Sequence, residues 1–161
     1  PAWARDLSMG NRMFNARAET VAEKPSFRNA YKRRRCLVPA SGFYEWRLEN
    51  GRKQPYCCHI NHQLFSIAAI WEYWQDADGN EIQSCALLTT EARGAMQELH
   101  QRMPVTIAPQ DYGSWLDCRS DRTDEADLLI TNTAPDYEYY AVGSAVGNSR
   151  NEGPELIAPI A

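Results

Sequence analysis

Apolar side chains recur along this chain with two periods, and the switches between them mark out its elements. Residues 1–24 show little periodicity and carry Pro1, Gly10 and several polar residues, which predicts loop with a short strand near 13–16. Beyond Pro25, the apolar Phe27, Ala30 and Tyr31 fall at helical spacing with the proline at a tolerated first-turn position. Residues 25–33 therefore read as a short helix whose outer face is basic. The stretches "RCLVPA" (35–40) and "GFYEWRL" (42–48) read as strands. They are followed by "ENGRK", where Asn50-Gly51 is a strong hairpin signal, and by "QPYCCHI" (54–60) as the returning strand. "LFSIAAIW" (64–71) is nearly all apolar and predicts a central strand, and the turn "DADGN" joins it to "EIQSCALLTT" (81–90). These strands together predict an antiparallel meander.

The period becomes helical in "EARGAMQELH". Ala92, Ala95, Met96 and Leu99 share a face there and Thr90 is available as an N-cap, predicting a helix over 91–99. Short helices over 109–117 and 123–130 and a strand through "YEYYAV" follow, ahead of a tail rich in Gly, Asn and Pro. No repeat, low-complexity tract or linker interrupts the order. A length of 161 residues then predicts one domain over 1–161, able to bury roughly two-thirds of its unfolded surface.

Charge alters this picture in one place. A net charge of -4 argues against a protein that coats nucleic acid by bulk charge, yet Arg28, Lys32, Arg33, Arg34 and Arg35 place five cations within eight positions. Arg28, Lys32 and Arg35 are spaced as one helical face, which is either a solvated face or a patch that tracks phosphates. The five cysteines are odd in number and lack the regular spacing of a disulfide framework, which fits reduced thiols and a cytoplasmic address. No apolar run approaches the roughly 18 residues that span a bilayer, and the first residues lack a basic segment leading into an apolar signal. The start at Pro1, inside "PAWARDL" and without a methionine, reads as a cut or processed end.

Candidate chemistry is scattered among these elements. In "SGFYEWR", Phe43, Glu45 and Arg47 share one face of a strand and Tyr44 and Trp46 the other. Glu45 is either a half-exposed sheet-edge carboxylate or a carboxyl whose proton affinity is raised by aromatic walls. His100, at the end of the helix predicted over 91–99, is either a proton-transfer group or a helix-terminal histidine without function. Arg102 offers a fork to phosphate or carboxylate, or a surface ion pair. In "NARAET", Asn15 and Arg17 point to one side if extended and can orient a sugar hydroxyl and a phosphate, or satisfy loop carbonyls. Trp3 and Trp46 can stack on nucleobases or fill a core. "CCHINH" lacks the second pair of ligands that a metal site needs. Cys36 has cations nearby to favour its thiolate, but apolar neighbours that favour an inert thiol.

Taken together, "NARAET", "RRRCLVPASGFYEW", "LLTTEA", "HQRMPV" and "AVGNSRNEGPELIAPI" resemble, in order and spacing, the SOS response-associated peptidase (SRAP) family of abasic-site processing proteins, from Pro1 to Ala161. The resemblance implies an α+β fold, largely antiparallel sheet curled into a barrel-like core with flanking short helices, and a cleft for single-stranded DNA. It implies no cofactor and no metal. The reaction it implies starts at a cysteine that becomes the chain terminus. Its amine and thiol attack the open-chain aldehyde of an abasic deoxyribose, giving first a Schiff base and then a stable thiazolidine DNA-protein crosslink. By that resemblance Glu45 and His100 are the acid-base groups and Asn15 is the amide that holds the lesion's sugar or the terminal amine. Arg17 and Arg102 grip the flanking phosphates, Trp3 and Trp46 support neighbouring bases, and Arg35 belongs to the basic surface. The family's opening Cys-Gly-Arg is expected upstream of Pro1, so the polypeptide as written is expected to lack the covalent step. A cysteine peptidase acting on other proteins, which the family name suggests, finds no local signature beside His100.

Overall fold

The computed structural model describes residues 1–120, 122–133 and 135–160. In chain order its elements are β1 (Asn15–Arg17), α1 (Arg28–Arg33), β2 (Arg35–Ala40), β3 (Phe43–Glu49), β4 (Arg52–His59), β5 (Phe65–Gln75), β6 (Glu81–Glu91), α2 (Met96–Leu99), β7 (Arg102–Pro104), β8 (Thr106–Ile107), α3 (Tyr112–Leu116), α4 (Asp124–Thr131) and β9 (Glu138–Ala141). This is the expected α+β class, with sheets and short helices. The barrel is not seen: among the described residues both sheets have open strand orders, β1-β6-β5-β2 and β3-β4-β9. The meander also fails, because the β3–β4 and β5–β6 hairpins belong to different sheets. Two compact units result, each assembled from three chain segments. The first comprises Pro1–Pro39, Phe65–Thr90 and Pro104–Ala134, the second Ala40–Leu64, Glu91–Met103 and Pro135–Ala161.

In the first unit β5 is central, as its apolar run predicts. Ser66 to Ile70 are buried without alternation, and exposed and half-buried residues alternate only beyond Trp71. β1 joins the far side of β6 in parallel, with Ala16 opposite Leu88. Its neighbours Asn15 and Arg17 are exposed, while Ala16 packs with Tyr31, Ile70, Leu88, Trp115 and Ile130 in one core. The strand begins two residues later than the sequence suggests. Leu7–Arg12 forms a 3₁₀ turn that is started by the Asp6 carboxylate accepting the Ser8 N–H at 2.9 Å. α1 is likewise shorter than expected, since the amides of Phe27 and Arg28 close a tight turn on the Lys24 carbonyl across Pro25.

Arg35 departs from its expected place on a phosphate-facing surface. It is only 5% exposed, and its guanidinium donates to the carbonyls of Trp115 (2.6 Å), Tyr31 (2.9 Å) and Asp117. It lies 5.9 Å from the ring centroid of Tyr31 and 5.6 Å from that of Trp115. A planar fork satisfies several carbonyls at once in a way that solvent does not reach, and this makes Arg35 a core cross-link. Arg34 is also engaged, 2.6 Å from Glu72. Of the five clustered cations, Arg28 and Lys32 are exposed helix residues that fit the solvated-face reading.

The second unit is built on the β3–β4 hairpin. Asn50 and Gly51 take φ of 49° and 77°, the mirror-image two-residue turn whose twist matches its strands. Glu49 consequently faces Arg52, Glu45 faces Tyr56 and Phe43 faces Cys58. β9 pairs with the other edge of β4, with Tyr139 opposite Cys58. The helix expected over 91–99 contracts to the single turn Met96–Leu99, and Thr90 is no cap. β6 runs on to Glu91 through Thr89 and Thr90, whose branched side chains favour the pleat. The Thr90 hydroxyl donates to Glu19 at 3.2 Å. Gly94, at φ 55°, breaks the chain direction before α2 can begin.

Replacing Arg35 by Met is expected to lower the unfolding free energy by about 3 kcal/mol or more, because three carbonyls lose their donor at a buried site. Denaturant melts of the two proteins measure the difference, and Arg35→Lys, with no fork, is expected to recover little of it.

Candidate active site

Glu45 sits midway along β3, and the hairpin register decides its surroundings. Phe43, Glu45 and Arg47 share a face with Tyr56 and Cys58 of β4 and Tyr139 of β9, while Tyr44 and Trp46 point to the other face. The aromatics on Glu45's own face are therefore Phe43, Tyr56 and Tyr139, and Trp46 lies on the other face, as strand alternation predicts. Phe43 packs edge-on against Tyr137 at 5.2 Å, and Tyr56 edge-on against Tyr139 at 5.3 Å. Tyr56 is fixed further: Arg47 donates to its hydroxyl at 2.6 Å, and that hydroxyl donates to Glu49 at 2.5 Å.

The structure brings Glu45 and His100 together. His100 directly follows α2, its backbone N–H closing on the Met96 carbonyl at 2.9 Å, and its Nδ1 lies 3.7 Å from Glu45 Oε1. The same nitrogen is 3.1 Å from the Arg102 N–H donor and 3.0 Å from the Arg102 carbonyl. Nδ1 thus faces one donor and two acceptors. A neutral ring accepts the N–H, and a protonated ring gives its proton to the carbonyl or the carboxylate. The Glu45 side chain is 24% exposed. Burial pushes its carboxyl above the ordinary carboxylate value, against the opposing pull of the imidazole and of the Trp46 amide. A carboxyl reluctant to ionise beside an imidazole more open to solvent is a pair able to pass a proton to and from a bound molecule.

The remaining predicted residues divide between the units. Arg102 lies in the second unit, and its backbone holds the His100 ring in place. Trp46 lies in the same unit, 38% exposed on the opposite sheet face. Asn15 and Arg17 lie in the first unit, both exposed on the same face of β1, as the alternation around buried Ala16 predicts. Trp3, also in the first unit, is 56% exposed and is no core residue. Arg35 is buried on carbonyls and drops out of any phosphate surface. With Arg34 and Arg35 engaged elsewhere, Cys36 loses the cations expected to activate it, and burial pushes its thiol up to about 11. Burial likewise pushes Cys58 up to about 12. All five cysteines are free. In "CCHINH", His59 stacks on His62 at 3.8 Å, and among the described residues no group of three or more His, Cys, Asp and Glu is placed to hold a metal ion. No helix among the described residues is long and apolar enough to cross a membrane.

Tyr56, Tyr139 and Glu98, whose carboxylate accepts from the Tyr139 hydroxyl at 3.1 Å, escaped the sequence reading. The register set by a two-residue turn would have placed Tyr56 opposite Glu45; nothing local announces the Tyr139–Glu98 bond.

Comparison with known proteins adds to this geometry. The model of the family described as SOS response associated peptidase (SRAP) matches residues 1–149. The abasic site processing protein YoqW of Bacillus subtilis (strain 168) is 39% identical, over 98% of this chain and 71% of that protein. The abasic site processing protein HMCES of Pongo abelii is 31% identical, and the match spans 99% of this chain and 54% of HMCES. A crystal structure of a Bacteroides thetaiotaomicron protein superposes with a TM-score of 0.86 at 27% identity, covering 100% of this chain and 73% of that one.

The raised Glu45 carboxyl has a stability signature of definite sign. A carboxyl whose folded value lies above its unfolded one supports folding fully below the unfolded value, and that support is lost as pH rises through the folded value. Glu45→Gln, which never ionises, is expected to melt above the wild-type chain at neutral pH and together with it in acid below the ordinary carboxylate range. Thermal melts at stepped pH check this.

Proposed function

Because the chain belongs to the SOS response-associated peptidase (SRAP) family, we propose that it processes abasic sites in single-stranded DNA, capturing the lesion's aldehyde in a covalent DNA-protein crosslink. The observation that carries this reading is the Glu45–His100 pair, a 3.7 Å contact on a tyrosine-lined sheet face, in a chain whose relatives YoqW and HMCES bear the name abasic site processing protein. A cytoplasmic address accompanies it, consistent with the free thiols.

The chemistry needs protons moved at fixed points. Ring opening of the abasic deoxyribose transfers the hydroxyl proton at C1′ to a base and delivers one to the ring oxygen. A terminal amine then adds to the aldehyde, and the carbinolamine loses water to give an imine. The thiol of the same terminal residue adds across the C=N bond and closes the thiazolidine. That residue is a cysteine at a chain terminus, a role the internal Cys36, Cys57, Cys58, Cys85 and Cys118 do not fill. In this scheme Glu45 delivers and accepts the protons at the sugar, its burial keeping a protonated form accessible. His100, tied through Nδ1 to the Arg102 backbone, exchanges protons with Glu45 and with solvent. Asn15 orients the lesion's sugar or the attacking amine. Arg17 and Arg102 hold flanking phosphates. Exposed Trp3 and Trp46 give stacking surfaces to neighbouring bases, each worth on the order of 1 to 3 kcal/mol. Peptidase action on other proteins finds no support in Cys36 or Cys58, whose thiols burial pushes up to about 11 and about 12.

Incubating the full-length gene product with single-stranded DNA carrying one abasic site is expected to give a shifted band that survives denaturing electrophoresis. A shift seen only in native gels would make the protein a binding module. Glu45→Gln is expected to slow crosslinking by about 100-fold or more while leaving affinity for the strand unchanged. Arg17→Ala is expected to weaken binding itself and to lessen the slope of log affinity against log salt by about 0.7, one phosphate contact.

A further inference from the structure

The His100 ring is held to its own loop and not to the strand that carries Glu45. Its backbone closes on the Met96 carbonyl of α2 and its Nδ1 on the backbone of Arg102, where β7 begins, so the position of the imidazole depends on how α2 sits against that strand. That helix is one turn, Met96–Leu99, too short to hold its own geometry. Met96 and Leu99 are buried and hold it by non-directional apolar packing, and the Ala92 N–H donates to the Gln101 carbonyl at 2.9 Å across the base of its loop; neither contact engages the Glu98 side chain. A directional restraint comes from β9, where the Tyr139 hydroxyl donates to Glu98 Oε2 at 3.1 Å. Tyr139 is itself well placed to give one. It stands opposite Cys58, and its ring meets Tyr56 at 5.3 Å with an interplanar angle of 89°. Tyr56 stands opposite Glu45 and has its hydroxyl fixed by Arg47 and Glu49. A continuous path therefore runs from the Glu45 strand through Tyr56 and Tyr139 to Glu98, two residues before His100.

We propose that Tyr139 is a positioning residue for the Glu45–His100 pair: its hydroxyl, by holding Glu98, fixes the roll of α2 and so the distance of the imidazole from the carboxyl. The inference rests on the reading of that pair as the proton-handling group of abasic-site capture. The ionisable groups around Glu45 are Arg47 on its own strand, Tyr56 and Cys58 on β4, Tyr139 on β9, Glu98 on α2 and His100 after it. Of these, His100 is the one whose charge pulls the Glu45 carboxyl down against burial. Loosening α2 weakens that pull.

The test has one arm that needs only this chain. In carbon-detected NMR titrations, with the Glu45 resonance assigned by its loss in Glu45→Gln, Tyr139→Phe is expected to move the Glu45 midpoint to higher pH. Phenylalanine keeps the ring contact with Tyr56 and changes no charge at neutral pH, so a merely structural role for the ring would leave the midpoint in place. Glu98→Gln keeps an oxygen that accepts the tyrosine proton and is expected to cause no rise. An unmoved midpoint in Tyr139→Phe, or an equal rise in Glu98→Gln, would overturn the proposal. The second arm is crosslinking by the full-length protein, where Tyr139→Phe is expected to lower the rate about 2- to 10-fold, the worth of one hydrogen bond, with affinity for the strand unchanged. If the wild-type protein forms no crosslink, the functional reading fails, and the titration still decides whether Tyr139 positions the pair.

Discussion

A two-residue turn holds the candidate site together. Asn50 and Gly51 adopt left-handed backbone conformations that let the hairpin close in a single register, and that register faces Glu45 with Tyr56. Slipping it by one residue would turn the carboxylate to the opposite side of the sheet and bring Tyr44 or Trp46 in its place. Tyr139, Cys58 and α2 are arranged around a face that exists only because the turn admits one pairing. The chemistry at residue 45 is in this sense specified five residues away, by the tolerance of glycine and asparagine for positive φ.

The contact between Glu45 and His100 differs in kind from the arginine–carboxylate pairs Arg34–Glu72 and Arg47–Glu49. Those pairs lie at 2.6 and 2.5 Å, short, charge-assisted contacts. At 3.7 Å the carboxyl and imidazole are near enough to feel each other's charge and too far apart for a strong hydrogen bond. Neither proton is locked. Burial favours the neutral acid on one side, and the backbone of Arg102 presents both a donor and an acceptor to the imidazole on the other. Loose spacing suits a group that must give and take a proton; tight spacing suits one that must hold a fold.

Most strands were legible because hydrophobic alternation and turn chemistry are local signals: "ENGRK" and "DADGN" mark both hairpins. What local signals do not carry is the destination of each hairpin. The β3–β4 and β5–β6 pairs separate into two sheets, and β1 reaches the far edge of β6 in parallel, pairings set by packing between distant segments. The helix over 91–99 failed for a related reason. Its apolar spacing was real, yet the β-branched Thr89 and Thr90 and the left-handed Gly94 outweighed it. Among site residues, Glu45 and His100 needed the family resemblance to be singled out and the fold to be joined. Arg35 shows the opposite case, where five clustered cations suggested a surface and the most regular of them was the one drawn inside by carbonyls of Tyr31, Trp115 and Asp117.

The threading of each unit through three chain segments has a kinetic consequence. β1 pairs with residues 87–89, and β9 pairs with a strand that ends at residue 59, so the closing contacts of both sheets join parts of the chain far apart in sequence. Long-range pairings of this kind require loop closure before they return any energy, which places folding on the millisecond-to-second scale typical of sheet-rich domains. On the ribosome the order is fixed as well. The β3–β4 hairpin can form as soon as residue 59 emerges, while its third strand arrives some eighty residues later, at roughly 5 to 20 residues per second. For those seconds the edge of β4, with buried Cys57 and Cys58, stands open. A nascent chain that presents an unpaired edge and two reduced thiols is vulnerable to aggregation and oxidation at a stage the finished fold never shows.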